Sequence, residues 1–365
     1  MSFNQLALAC VNELQPYVPG KPIEELERQY GIKNIIKLAS NENPLGPSKS
    51  ALTALAKAAK DLTRYPDGNG FILKTALAEK YQVEPSQITL GNGSNDVLEI
   101  IARTFVSPAD EVLFSQYTFA VYPIVTQAIG AKGVVAPAHN YGHDLQAMSA
   151  LISDRTKLIF IANPNNPTGT CLADEELEAF IAKVPLNTLV VLDEAYVEYG
   201  DATADTISWL AKYPNLIITR TFSKAYGLAG LRVGFALSHP DVANLLNRIR
   251  QPFNVNGLAL VAATAALTDD AYITATKQLN DQGMAQLIAG FNAMSISYIP
   301  SKANFITVDV EQNGPALYEL LLQQGVIVRP LANYGLPQHL RVSIGLQAEN
   351  QRFLEVLSTL LGRPL

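Results

Sequence analysis

The chain has 365 residues, 48% of them apolar, and its 27 Lys and Arg against 33 Asp and Glu leave a formal net charge of −6. This length and apolar content predict a folded protein of about two domains and exclude a disulfide-stapled miniprotein. The acidic balance, without a cluster of Lys and Arg, argues against nucleic acid as a partner, because binding to phosphates needs concentrated positive charge.

The two cysteines and the apolar stretches indicate where the protein works. Cys10 and Cys171 stand far apart and outside any Cys/His cluster, so we expect neither a disulfide framework nor a metal site. No Lys or Arg precedes Lys21, and the apolar stretch at 6–11 is too short for a signal peptide. The longest mostly apolar stretch, 258–267, is far below the ~18 residues of a membrane span. We therefore expect a cytoplasmic protein with no membrane partner.

Residues 1–35 are predicted to form an N-terminal arm that packs with the smaller of two domains. Prolines at 16, 19 and 22 and the glycine at 20 interrupt regular structure. Only residues 23–30 have the spacing of a helix.

Residues 36–255 are predicted to form a large domain of the α/β class. From about residue 87, short β-branched runs alternate with segments of helical period, a pattern typical of βαβ units. The predicted strands are 87–90, 111–114, 133–135, 158–162, 189–192, 216–219 and 233–237. The predicted helices are 95–105, 118–129, 174–184 and 241–250. We therefore expect a mainly parallel seven-stranded sheet inside an αβα sandwich.

Residues 256–365 are predicted to form a smaller α+β domain, with the boundary inside the helices that span 256–294. Ala- and Leu-rich helical stretches come first, and strands and shorter helices follow. The predicted helices are 258–267, 271–294, 315–324 and 348–361. The predicted strands are 295–299, 305–309, 326–328 and 340–344.

Four loops follow predicted strands, at the sheet edge where open α/β sheets bind ligands. Residues 91–96 (GNGSND) turn into a helix and predict a phosphate cradle. Asp96 stands where the dinucleotide fingerprint has its third glycine, which argues against a nucleotide site; that site and, more strongly, a plain turn are the alternatives. Residues 163–169 (NPNNPTG) are stiffened by two prolines, and a rigid turn alone would explain them.

The other two loops carry a carboxylate and an amine. Asp193 directly follows an apolar strand, where an ion is costly without a partner, unless it merely caps a helix. Lys224 stands among hydroxyl, apolar and glycine residues that lower the pKa of an amine, although a solvated loop lysine is the alternative. Together the four loops offer an amine, a carboxylate, an amide donor and an anion cradle, which are the groups that pyridoxal phosphate requires.

The same motifs, in this order, resemble those of the fold type I pyridoxal-phosphate aminotransferases. They are NPNNPTG at 163–169, DEAY at 193–196, and SK at 223–224 followed by LAGLR at 228–232. The resemblance covers nearly the whole chain. Within the family, the chain is similar to the histidinol-phosphate aminotransferases through YVPG at 17–20, LASNENPLGP at 38–47 and RYPDG at 64–68.

The resemblance implies three catalytic residues. Lys224 would form the internal aldimine with the cofactor and afterwards move the substrate proton. Asp193 would pair with the ring nitrogen, and Tyr196 would hydrogen-bond the phenolic oxygen. The other implied cofactor ligands are Asn166 at the phenolic oxygen, Phe119 on the ring, and Ser94, Asn95, Thr221, Ser223 and Arg232 at the phosphate.

Two positions depart from the family pattern. Many members have an acidic residue at the position of Asn95, which matters little if the contact is a backbone N–H. Many have Tyr at the position of Phe119, which keeps the stacking face but lacks the hydroxyl. The resemblance further implies a homodimer, because Tyr65 would reach the cofactor phosphate of the neighbouring subunit.

The implied substrates are small anions. Arg341 would bind a carboxylate of glutamate, and Arg329 would bind a substrate phosphate with Tyr17 and Asn43. The implied reaction is a ping-pong transfer in histidine biosynthesis, from L-histidinol phosphate to 2-oxoglutarate. An aromatic amino acid aminotransferase and a threonine-phosphate decarboxylase share the fold and the lysine, so both remain alternatives. A binding protein without activity and a nicotinamide dehydrogenase are alternatives from other classes.

Overall fold

The computed structural model describes residues 3–17, 19–200 and 205–365. Val18, which belongs to the motif at 17–20, lies outside the described residues. The helices are α1 (Ala9–Asn12), α2 (Ile23–Tyr30), α3 (Lys49–Ala58), α4 (Phe71–Tyr81), α5 (Ser94–Phe105), α6 (Val121–Ile129), α7 (Leu145–Leu151), α8 (Asp174–Ile181), α9 (Pro240–Ile249), α10 (Gly257–Leu267), α11 (Asp270–Ala293), α12 (Gly314–Gln323) and α13 (Gln347–Leu361).

The strands lie in two main sheets and two small ones. They are β1 (Ile36–Lys37), β2 (Ile88–Gly91), β3 (Glu111–Ser115), β4 (Lys132–Ala136), β5 (Ala138–His139), β6 (Gly142–His143), β7 (Thr156–Ala162), β8 (Leu189–Asp193), β9 (Leu216–Thr221), β10 (Gly234–Ser238), β11 (Tyr298–Ile299), β12 (Phe305–Asp309), β13 (Val326–Ile327), β14 (Arg329–Leu331) and β15 (Leu336–Ser343).

The large sheet confirms the predicted α/β class. Its seven strands are the seven predicted ones, in the order β2-β10-β9-β8-β7-β3-β4. All neighbours run parallel except β10, which is antiparallel to both β2 and β9. Parallel strands with both faces covered are apolar throughout, which is why these runs are visible in the sequence.

Alternate residues of the large sheet enter two separate cores, one on each face. Ile159 and Leu192 face one core, with side chains of α3, α4, α7, α8 and α10. Phe160 and Val191 face the other, with side chains of α5, α6 and α9. The result is the expected αβα sandwich. Helices α3, α4 and α7 were not predicted; α3 begins after Ser48, whose side chain accepts a hydrogen bond from the N–H of Ala51.

A smaller sheet with the order β11-β12-β15-β14 packs with α11, α12 and α13 around its own core. Strand β1 pairs in parallel with β13, and Ile36 and Leu38 belong to this small core. Helix α10 instead packs in the large core. The proposed domain limits at 35/36 and 255/256 therefore remain predictions, and the packing places 36–38 with the small core and 257–267 with the large one.

Two features of the chain ends and helices complete the fold. Leu26 of α2 packs against Leu322 of α12 and Ile327 of β13. Helix α1 lies near α6, where Gln127 Nε2 donates a hydrogen bond to the carbonyl of Cys10 (3.3 Å). Among the described residues, no single helix has both the length and the apolar character to cross a membrane; α10 and α11 meet that test only as a pair bent by 82°.

Candidate active site

A cavity lies where β7, β8 and β9 end, at the carboxyl edge of the large sheet. This is the edge that the sequence predicted for ligand binding. Predicted site residues that line it are Tyr17, Ser94, Asn95, Phe119, Asn166, Asp193, Tyr196, Thr221, Ser223, Lys224, Arg232 and Arg341. The structure therefore brings together twelve of the fifteen predicted site residues, from segments that are far apart in the chain.

Asp193 is a buried carboxylate at the end of β8. Its Oδ2 accepts a hydrogen bond from the Tyr122 hydroxyl (2.8 Å), and its Oδ1 accepts one from Thr219 Oγ1 (3.1 Å). Burial raises the pKa of Asp193 to about 6, although both hydrogen bonds lower it. The carboxylate is thus held in one orientation and ionises near neutral pH.

Lys224 carries the amine of the cavity. Its Nζ donates to the carbonyl of Ser40 (2.9 Å) and lies 5.8 Å from the centre of the Tyr196 ring. Burial, with the positive charge of Arg341 as a smaller cause, lowers the pKa of Lys224 from 10.5 to about 7. A neutral amine, which is the nucleophilic form, is therefore accessible at physiological pH.

The Tyr196 hydroxyl is the centre of an amide network. It accepts hydrogen bonds from Asn41 Nδ2 (2.9 Å) and Asn166 Nδ2 (3.1 Å). Asn166 Oδ1 in turn accepts from Arg341 Nη1 (2.5 Å), and Arg341 Nη2 donates to the carbonyl of Ala39 (2.8 Å). Burial raises the pKa of Tyr196 to about 12. The hydroxyl therefore stays protonated and can donate to an anionic oxygen.

An anion cradle forms where α5 begins. The helix starts at Ser94, and the first N–H groups of a helix lack intrahelical partners and attract anions. Arg232 lies beside them, since a Cβ on Gly93 would come within 2.3 Å of Arg232 Nη2. Arg232 Nη1 also donates to Ser223 Oγ (3.2 Å), and Thr221 Oγ1 accepts from the N–H of Ser223 (3.1 Å). Hydroxyls, a guanidinium and a helix N-terminus thus converge.

Three predicted site residues lie outside the cavity. Tyr65 is 83% exposed and stacks on Phe253, with ring centres 4.8 Å apart. Arg329 is buried in β14, with its guanidinium 5.2 Å from the centre of the Tyr17 ring, and both residues line a neighbouring cavity.

The third of them, Asn43, does not line the cavity in this structure, and its role at the substrate stays a prediction. Its Nδ2 donates to the carbonyl of Ala225 (2.9 Å) and to the hydroxyls of Tyr272 and Thr276 (both 3.0 Å). These hydrogen bonds occupy the amide group of Asn43 and hold the segment at 40–46 against α11. Asn41, two residues earlier in the same motif, lines the cavity instead.

Sequence reasoning missed three residues that support the site. Tyr122 and Thr219 bind the carboxylate of Asp193, and Asn41 binds the hydroxyl of Tyr196. Tyr122 stands three residues after Phe119 in the helix predicted at 118–129, and Thr219 is opposite Asp193 in the β8–β9 register. Helical spacing and strand pairing are the signals that could have identified both.

The chemistry of this donor set fits pyridoxal phosphate. The cavity holds an amine with a lowered pKa, a buried carboxylate, a protonated tyrosine hydroxyl and an anion cradle. Among the described residues, the buried Nε of Arg341 has no hydrogen-bond partner, so a further anion can be bound there.

Comparisons with known proteins agree with this geometry. Residues 33–357 match the family model described as aminotransferase class I and II. Histidinol-phosphate aminotransferase 1 of Nitrosococcus oceani is 57% identical over 98% of both chains, and histidinol-phosphate aminotransferase 2 of Pseudomonas fluorescens Pf0-1 is 58% identical over the full length of both. The crystal structure of the Sinorhizobium meliloti histidinol-phosphate aminotransferase in complex with pyridoxal-5′-phosphate superimposes with a TM-score of 0.88, at 31% identity over 96% of this chain and 97% of that one. The chain therefore belongs to the class I and II aminotransferase family.

Proposed function

We propose that the chain is a pyridoxal-phosphate-dependent aminotransferase of histidine biosynthesis. It transfers the amino group of L-histidinol phosphate to 2-oxoglutarate and yields imidazole acetol phosphate and L-glutamate. The observation that supports the reaction type is the single cavity that contains Lys224, Asp193 and the anion cradle. The substrate follows from the identity of 57–58% to relatives named histidinol-phosphate aminotransferase.

Pyridoxal phosphate, when bound, supplies an aldehyde that joins amines and a ring that stabilises negative charge on the substrate carbon. Asp193 is proposed to hold the ring nitrogen, since a carboxylate favours its protonated form. Tyr196 and Asn166 donate toward the phenolic oxygen, and Phe119 covers the ring. The proposed phosphate ligands are Ser94, Asn95, Thr221, Ser223 and Arg232.

Lys224 is proposed as the base and acid of the reaction. A catalytic base works best when its pKa is near the working pH, and burial brings the pKa of this amine to about 7. Lys224 would therefore take the proton from the substrate carbon that bears the amino group and deliver it to the C4′ carbon of the bound cofactor. The carbonyl of Ser40, which accepts from Nζ at 2.9 Å, orients the amine.

Two buried arginines are proposed to select anionic substrates. Arg341 and Arg329 are directly opposite in the register of β14 and β15, and each is 6% exposed. Buried guanidinium groups on neighbouring strands repel each other and are stabilised by anions. Arg341 is proposed to bind a substrate carboxylate, and Arg329, with Tyr17, the phosphate of L-histidinol phosphate.

The active form is proposed to be a cytoplasmic homodimer. Tyr65 is exposed beside an apolar groove that Leu62, Ile72, Phe253 and Val261 help to line, a surface suited to a second copy of the chain. In that dimer, Tyr65 would reach the cofactor phosphate of the other subunit. Cys10 and Cys171 are not joined to each other by a disulfide, which agrees with a reducing compartment.

A half-reaction tests the proposal. Holoenzyme mixed with L-histidinol phosphate, without an acceptor, should form about one equivalent of imidazole acetol phosphate per subunit and then stop. Addition of 2-oxoglutarate should release an equal amount of L-glutamate and restart turnover. Continuous formation of imidazole acetol phosphate without an acceptor would contradict amino transfer. If no imidazole acetol phosphate formed with or without 2-oxoglutarate, L-histidinol phosphate would not be the donor.

A further inference from the structure

Tyr122 lies behind the proposed cofactor site and outside every sequence motif that led to it. Its side chain is fully buried on α6, and its hydroxyl is 2.8 Å from Asp193 Oδ2. We propose that Tyr122 is a positioning residue whose hydroxyl fixes the orientation and the ionised state of Asp193, and thereby the affinity of the site for a protonated pyridine ring. This inference rests on the proposed function, because it assigns Asp193 to the ring nitrogen.

The ring of Tyr122 is held from two sides, so its hydroxyl has one available position. It stacks on Phe160 of β7, with ring centres 4.4 Å apart and an interplanar angle of 4°. It also meets the Phe119 ring edge to face, at 5.8 Å and 87°. The same tyrosine therefore contacts the residue proposed to cover the cofactor ring and the residue proposed to bind its nitrogen.

The hydrogen bond acts on charge as well as on orientation. Burial raises the pKa of Asp193 to about 6, and the bond from Tyr122 is the largest of the effects that lower it, ahead of that from Thr219. Removal of the Tyr122 hydroxyl should raise the pKa of Asp193 further, so that the carboxyl group is neutral at a higher pH. A neutral carboxyl group cannot form an ion pair with a ring nitrogen that carries a proton.

The other groups that face Asp193 do not replace this donor. From β9, only the Thr219 hydroxyl reaches it, and from the turn after β8 come the backbone N–H of Ala195 and the negative charge of Glu194, which raises the pKa of Asp193. Tyr196 is protonated in this pH range. Strand β7 contributes Ala162, opposite Asp193, which brings no charge.

The test measures ligand retention rather than turnover. The full-length enzyme is loaded with pyridoxamine 5′-phosphate, which has the ring nitrogen but no aldehyde and so makes no covalent bond to Lys224. Its dissociation constant is measured by equilibrium dialysis between about pH 5 and pH 9 for the native enzyme, Tyr122→Phe and Tyr226→Phe. Tyr226→Phe is the matched control, since it removes another buried hydroxyl, one that bonds to Tyr81 rather than to Asp193.

We expect Tyr122→Phe to move the acid-side loss of binding upward by about one pH unit. At about pH 6 this shift weakens binding roughly fivefold relative to the native enzyme, at about pH 5 roughly tenfold, and near pH 9 it has little effect. The Tyr226→Phe curve should superimpose on the native one. An unchanged midpoint for Tyr122→Phe, or an equal shift for Tyr226→Phe, would overturn the inference.

Thr219→Val keeps the inference testable if Tyr122→Phe fails to fold. It removes the other side-chain donor to Asp193 and should move the midpoint in the same direction by a smaller amount. An unchanged midpoint for this folded variant also overturns the inference. A native enzyme that binds no pyridoxamine 5′-phosphate at any pH contradicts the proposed function itself, whereas rejection of histidinol phosphate leaves the role of Tyr122 intact.

Discussion

Lys224 is the residue on which the proposed chemistry depends most. Lys224→Ala should lower kcat by more than about 10³-fold, because it removes both the amine that joins the cofactor and the proton carrier. Since the pKa of Lys224 is lowered to about 7, the native amine is neutral above that pH, and loading with pyridoxal phosphate should weaken as the pH falls below it. Steady-state kinetics and the visible absorbance of the holoenzyme measure both effects.

Lys212→Ala serves as the control for that change. The side chain of Lys212 is 60% exposed and pairs with Glu178 on the surface, so its loss should leave activity and colour unchanged. Residual turnover in Lys224→Ala above about a tenth of the native value would show that another base does the work.

Arg329 should determine the preference for a phosphorylated substrate. Arg329→Gln is expected to lower kcat/KM on L-histidinol phosphate by about 100-fold, because a hydrogen-bonded ion pair with the phosphate is lost. The value on unphosphorylated L-histidinol should change by less than about threefold, since that substrate lacks the anion. If kcat/KM fell equally on both substrates, Arg329 would support the fold and would not bind the substrate phosphate.

Single residues were predictable where a motif carried them, and less so where a contact depended on orientation. Lys224, Asp193 and Arg341 line one cavity as the motifs indicated. Asn43 belongs to the same motif as Asn41, yet its amide turns toward Tyr272. The sequence alone does not show that the side chains of these two asparagines, in one loop, point in different directions.

At the scale of elements, the anion cradle depends on close packing between the start of α5 and β10. A Cβ on Gly234 would lie 2.4 Å from the backbone N of Ser94 and 2.8 Å from the carbonyl carbon of Gly93. Backbone atoms cannot yield as a flexible side chain does, so Gly234→Ala should displace the helix start. We expect at least a tenfold weaker affinity for pyridoxal phosphate, measured by equilibrium dialysis, and a lower melting temperature.

Gly230→Ala is the matched change, in the turn that precedes β10. A Cβ there would meet no heavy atom within 4 Å, so affinity and melting temperature should remain those of the native enzyme. If Gly234→Ala also behaved as the native enzyme, the cradle would not require this close approach.

Helices and strands were predictable from the sequence when the burial of their side chains followed a simple pattern. All seven strands of the large sheet were identified, because strands covered on both faces are uninterrupted apolar runs. Helix α4 was not, since its apolar and polar side chains follow no clear stripe: Phe71 and Ile72 are exposed while Lys74 is buried. Strand β14 was not predicted either, because it contains Pro330 and a proline argues against a strand.

At the scale of the whole molecule, the proposed dimer makes each active site a product of two chains. Lys224→Ala and Tyr65→Ala should each be nearly inactive alone. A mixed dimer of the two has one site with native Lys224 and native Tyr65, so unfolding and refolding an equal mixture should restore about a quarter of native activity. No recovery on mixing, with dimers present in solution, would place Tyr65 and Lys224 in the same site of one chain.

The central claim is that the enzyme acts on L-histidinol phosphate. The most direct measurement is kcat/KM with 2-oxoglutarate as acceptor and L-histidinol phosphate, phenylalanine and threonine phosphate as parallel substrates, with glutamate and carbon dioxide as the products followed. We predict the highest kcat/KM for L-histidinol phosphate, with glutamate formed and no carbon dioxide released. A higher kcat/KM for phenylalanine, or decarboxylation of threonine phosphate, would contradict the account.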